Sequence, residues 1–361
     1  MTQRARLLVG TKKGAFILEG DAARDQWTIT SPLCEGWPVH DLIVEPSSGA
    51  ILAAAGSPWY GPAIWRSDDG GSTWTHSSAG LTYGDDGPSI ETAWSLAVAA
   101  DGAILAGVQP AGLFRSTDGG ATWSHVEGLT NHPTRASWMP GAGGLILHSI
   151  VPHPTDPDRI WVGISSVGTF ETNDGGATWT PRNVGVRAGF NPDPYPETGQ
   201  CVHKLVMAGG GQTDTLYQQN HCGVYRSDDG GATWIELTEN GLPSEFGFPM
   251  VSHPRDPDTV WTIPLNGADQ GRFVPDAKPA VWRTQDRGAT WERHADGFPQ
   301  GDAYFTVLRE AMARDTLDPV GIAFGTETGQ LWHSADEGRT WRMITDTLPE
   351  IWAVEAMVVP A

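Results

Sequence analysis

The chain has 361 residues, with 45 Gly, 27 Pro and 17 Trp, and only 18% of it is charged. So many turn formers imply many short strands, while a coiled coil or helical bundle would need Ala, Glu, Lys and Leu in quantity, and 17 Trp exclude disorder. With 23 basic against 43 acidic residues the net charge is −20, which repels phosphate backbones and anionic headgroups, so no nucleic acid and no membrane is expected as a partner. Strands are expected at 6–9 and 15–18, followed by inner strands at 39–44, 94–98, 147–151, 202–207, 248–251, 304–308 and 352–359. No run of about 18 apolar residues is long enough to span a bilayer. The first residues run into a strand without the apolar stretch of a secretory leader, and Cys34, Cys201 and Cys222 make no disulfide framework. A cytoplasmic location with reduced thiols is the expectation.

One octapeptide, Ser/Thr-x-Asp-x-Gly-x-Thr-Trp, recurs six times. Its first copy is Ser67, Asp69, Gly71, Thr73 and Trp74; the later ones carry Asp118, Asp174, Asp229, Asp286 and Asp336. A decayed copy runs from Asp21 to Trp27. Each full copy follows a strand-like aromatic or apolar pair, such as Ile64 and Trp65 or Val224 and Tyr225, so it marks a hairpin between two strands. The Asp accepts backbone N–H groups and holds the turn closed, the Gly takes a positive φ, and the Trp buries a large ring. Six such carboxylates are turn staples, not catalytic acids.

This motif resembles the Asp-box, or bacterial neuraminidase repeat, of sialidases, some β-glucanases, sortilin-type receptors and photosystem assembly factors. The resemblance covers nearly the whole chain and implies a β-propeller; it is silent on function, because that family holds both enzymes and binding proteins. Trp27, Trp74, Trp123, Trp179, Trp234, Trp291 and Trp341 recur every ~50 residues, close to the repeat of one four-stranded blade. The fold expected is therefore all-β: a seven-bladed propeller, residues 1–361 as a single domain, with the C-terminal strand completing the N-terminal blade.

In blades of this kind the Asp-box joins the third and fourth strands. The Pro-Asp turns at 153–158 and 253–258 share its face and are read as turn chemistry. Long, unlike loops at 79–93, 128–146, 183–200, 240–247 and 294–303 fall on the other face, with 56–62 and 265–279 inside blades, and such loops carry function more often than turns do. The resemblance implies for a true sialidase an Arg triad that opens in an Arg-Ile-Pro motif, and the chain has no such motif. Arg135, Arg187, Arg272 and Arg309 form no recognisable triad. Another glycosidase would need two carboxylates about 5–10 Å apart; Asp85, Asp86, Glu91, Glu197, Glu245 and Asp302 lie on the loop face, too many to pick a pair. Candidate substrate-binding residues are Trp59, Trp94, Trp138, Arg187, Glu91 and Glu245.

Four histidines make the sharpest candidate. His40, His148 and His203 occupy the start of three inner strands, Trp94 and Phe248 take the same place in two others, and His221 ends the strand that pairs with His203's. Imidazole is a common ligand of Zn, Fe, Cu or Ni, so these four form a candidate metal site at the mouth of the central channel, with Cys201 and Cys222 beside it. The other reading makes them polar residues bonded to water and to one another. Three functions follow: an enzyme acting on a small molecule through the histidines, metal-dependent in one version and without a nucleotide cofactor; a glycoside hydrolase using rim carboxylates on a glycan; and a non-catalytic binding propeller. A monomer or small homo-oligomer fits all three, and the catalytic residues stay unassigned.

Overall fold

The computed structural model describes residues 3–30 and 32–360. Seven four-stranded antiparallel sheets account for almost all the regular structure. They are the seven blades of a β-propeller. The first blade joins the two ends of the chain, with Ile351–Pro360 pairing along Gln3–Thr11, then Gly14–Gly20 and Trp27–Ile29. Its C-terminal strand is thus supplied as the sequence implies.

The chain divides into two compact units. One takes the chain up to Val39, with Ala208–Thr213 and everything from Leu237 on. Its core gathers Leu7, Leu18, Trp261, Val281, Phe324 and Trp341. Here the decayed repeat still works as a turn: Asp21 accepts the N–H groups of Asp25 and Gln26, and Trp27 reaches the Arg24 carbonyl. Arg24 itself is buried against Asp315 at 3.0 Å.

The other unit holds His40–Met207 and Asp214–Glu236, four blades packed face to face. Leu52, Ala54 and Ile64 of the second blade meet Leu96, Ala106 and Phe114 of the third, and Trp161 of the fourth meets Val202, Leu216 and Tyr225 of the fifth. Apolar residues alternate with the strand period, so each sheet offers a greasy face to its neighbour.

The six Asp-boxes share one hydrogen-bond pattern. In the first, Ser67 Oγ donates to Asp69 Oδ1 at 2.8 Å and accepts Gly71 N, while Thr73 gives both its N–H and its hydroxyl to the same carboxylate. Gly71 sits at φ +98°, where a side chain would be strained. These bonds hold the Asp69, Asp118 and Asp174 carboxyls down at about 2.

One inner strand differs from expectation. Residues 304–308 form no strand; the inner strand of the seventh blade is Met312–Arg314. Asp315 Oδ1 accepts the N–H groups of Leu317 and Gly321, closing a turn that sets Arg314 opposite Ile322. The alternating pattern at 304–308 instead serves a connection, where Thr306 bonds the Arg272 carbonyl.

Candidate functional site

The fifth blade builds the site. Val202–Met207 pairs with Leu216–Asn220, Val202 opposite Asn220 and Lys204 opposite Gln219, so His203 is an extra residue in its strand. Such a bulge re-aims the side chain it carries. His221 N donates to the Cys201 carbonyl at 2.9 Å and ties the two strand ends together. As a result Cys201 Sγ lies 3.6 Å from His203 Nε2, and the His203 and His221 rings meet edge-on with centroids 5.6 Å apart. The donor atoms of Cys201, His203 and His221 all fall within 4.8 Å of one another, the one such group of His, Cys, Asp or Glu among the described residues.

His40 and His148 lie outside this group, which corrects the four-histidine cluster. His40 Nε2 lies 3.1 Å from the Gly56 carbonyl, and its ring packs on Trp94 at 4.4 Å. A carbonyl only accepts, so that nitrogen carries the proton, and burial drives the imidazole down to about 4. His148 Nε2 likewise donates to the Val202 carbonyl at 2.8 Å, with Ser149 Oγ at its Nδ1. It therefore braces the bulge beside His203 and is not one of its ligands. Cys222, though buried, is also outside the donor group; its carbonyl accepts from Tyr225 and Arg187.

A cleft of about 380 Å³ borders the donors, built from the loops on either side of the fourth blade and the turn inside it. Trp138, Met139 and Phe190 give it an apolar wall; Ser137, Asn191 and Thr198 give it polar groups. Ser166 and Phe190 belong to both structures: Ser166 Oγ is 3.8 Å from Cys201 Sγ, and the Phe190 ring stands 5.2 Å from that of His221. Ser166 sits at φ +60° in a tight turn. It has no signal in the sequence, nor has Asn191.

The remaining candidates scatter. Trp59 is 88% exposed on its own turn, and Glu245 is exposed too. Trp94 is spent on His40, and Glu91 accepts from Gln109 at 2.9 Å. Trp138 is mostly buried, under Arg135 at 4.7 Å, and lines the cleft. Arg187 reaches the Cys222 carbonyl and Glu236, while Arg309 lies over Phe248. The arginines form no triad.

With that geometry in view, comparisons place the chain among known proteins. The BNR/Asp-box repeat family matches residues 114–125. The xyloglucanase Xgh74A of Acetivibrio thermocellus is 29% identical over 161 residues, a stretch covering 39% of this chain and 18% of that protein. The chain thus corresponds to about a fifth of that relative's length. Among solved structures, the GH74 enzyme of Niastella koreensis aligns over 97% of this chain and 66% of its own, at 16% identity and TM-score 0.53. YCF48 bound to D1 peptide aligns over 85% of this chain and 82% of its own, at 17% identity and TM-score 0.55. Octapeptides, family match and blade architecture agree: the chain is a β-propeller of the Asp-box type.

Proposed function

We propose that this propeller acts on glycans as a glycoside hydrolase, seating its substrate in the cleft between Met139 and Phe190. One observation carries the reading: a 380 Å³ cleft in which apolar rings stand beside amide and hydroxyl groups. A sugar offers just that pair of surfaces, flat C–H faces and a rim of hydroxyls, and the volume lies in the range of small-ligand sites. Kinship with a xyloglucanase supports the same class. Hydrolysis needs carboxylates. The cleft wall has none among the described residues, so the acid must come from the loop behind it. Glu197 adjoins Thr198 of the wall, and its charge is felt by His132, whose ring faces Trp138. It is the acid best placed for the work.

The test is a panel of xyloglucan, cello- and xylo-oligosaccharides, read by calorimetry and by release of reducing ends. Binding should weaken about tenfold in Phe190→Ala, the worth of one aromatic contact. Release should vanish in Glu197→Gln while binding persists. Binding without release by the native chain would leave a non-catalytic glycan receptor and contradict the hydrolase reading. Binding of none of the panel would remove the glycan as well.

A further inference from the structure

We propose that Cys201, His203 and His221 form a zinc site. Zinc holds thiolate at about 2.3 Å and imidazole at about 2.0–2.1 Å with tetrahedral angles, which makes the S···N edge about 3.6 Å. The Cys201 Sγ to His203 Nε2 separation is 3.6 Å. The third donor, on His221, lies within 4.8 Å of both.

Chemistry narrows the ion. One thiolate and two imidazoles suit zinc or copper and not magnesium or calcium, which take oxygen donors. Three protein ligands leave a fourth position for water or a bound molecule, the arrangement of catalytic rather than structural zinc. Ser166 and Phe190 stand between the donors and the cleft: each lines the cleft, Ser166 Oγ lies 3.8 Å from Cys201 Sγ, and the Phe190 ring lies 5.2 Å from that of His221.

The backbone around the donors is braced for the task. His148 holds the carbonyl of Val202, His221 N–H holds that of Cys201, and Asn220 Oδ1 takes the N–H of Cys222 at 3.3 Å. Partners of this kind orient metal ligands and tune their affinity. The inference does not depend on the cleft ligand being a glycan.

The experiment uses the full chain, stripped with a chelator and titrated with Zn(II) in competition with a chromophoric chelator. About one equivalent should bind, with protons released as the thiol ionises. Co(II) in its place should give a thiolate-to-cobalt charge-transfer band in the near ultraviolet and visible bands of four-coordinate intensity. Cys201→Ser should lose the charge-transfer band, and His221→Gln should bind at least about a hundredfold more weakly. Cys222→Ser and His40→Gln should bind as the native chain does. Metal-free melting curves of each variant separate loss of the site from loss of the fold. Failure of the stripped native chain to take up either ion overturns the site, as does a charge-transfer band that survives Cys201→Ser or is lost in Cys222→Ser.

Discussion

The second and fifth blades begin with the same residues and end with different chemistry. Their inner strands, Val39–Val44 and Val202–Met207, show one burial pattern, and His40 and His203 fill the same buried position. In the second blade the paired strand is Ile51–Ser57, with Ala53, Ala54 and Ala55 fully buried, and His40 is sealed between Trp94 and the Gly56 carbonyl. In the fifth blade the paired strand is Leu216–Asn220, which buries Gln218, Gln219 and Asn220 instead. There His203 meets Cys201 and His221. Gln218 Nε2 and Asn220 Nδ2 are buried with no hydrogen-bond partner among the described residues, and a buried donor left unmet costs about 1–3 kcal/mol. A histidine at a fixed place in a repeat is therefore inert or available according to what the next strand supplies. Where stability alone would choose alanine, as the second blade does, the fifth blade keeps amides, and such departures gather at functional sites.

Satisfied polar burial should behave unlike the strained burial of the fifth blade. Glu171 in the fourth blade is buried and held by Arg159 at 2.8 Å and by Arg182 at 2.7 Å. Glu171→Gln breaks a buried ion network, and denaturant unfolding should show a loss of about 3–5 kcal/mol.

The sealed histidine gives the next effect. His40 falls from 6.5 to about 4 on folding, so the unfolded chain binds the proton first as pH drops. Its contribution is whole above pH 6.5 and is lost as pH falls toward 4, about 3 kcal/mol in all. Unfolding free energies across that range should flatten in part in His40→Gln, the remaining slope belonging to His333, lowered to about 3 by burial, and to His125, His132, His253 and His294, which burial also lowers. The Asp-box carboxylates act in a separate window: lowered from 3.8 to about 2, they weaken the fold only as pH falls below about 4.

Smaller still, Ser227→Ala strips the Asp-box of the fifth blade of the hydroxyl that bonds Asp229 and Gly231, and should cost about 1–3 kcal/mol in the same assay. Gln218→Leu should be the mildest, a change within about 1 kcal/mol, because it removes an unpaired donor and gives up only the long 3.4 Å bond that Thr169 Oγ1 donates to Gln218 Oε1. A loss as large as that of Glu171→Gln would erase the distinction between the two kinds of burial.

The blades were legible because the octapeptide repeats, and its Asp, Gly and Trp each do one local job that spacing alone can place. The pairing of His203 with His221 was legible for a similar reason, since both flank one antiparallel turn. Cys201 joins them through the bulge at His203, and a bulge adds a residue without any mark in the sequence. The fates of His40 and His148 turn on the carbonyls of Gly56 and Val202, contacts of backbone that carry no side-chain signal. Residues 304–308 misled because alternation suits a buried connection as well as a strand. Of the cleft, Trp138 and the loops at 128–146 and 183–200 were legible, and Ser166 was not.

The central proposal, a zinc site at Cys201, His203 and His221, is tested most directly by crystals of the full chain grown with Zn(II). Anomalous difference maps recorded on either side of the zinc edge should show one strong peak within bonding distance of those three donors. A map with no peak there, or with its strongest peak at His40 or on the acidic surface, would contradict the account.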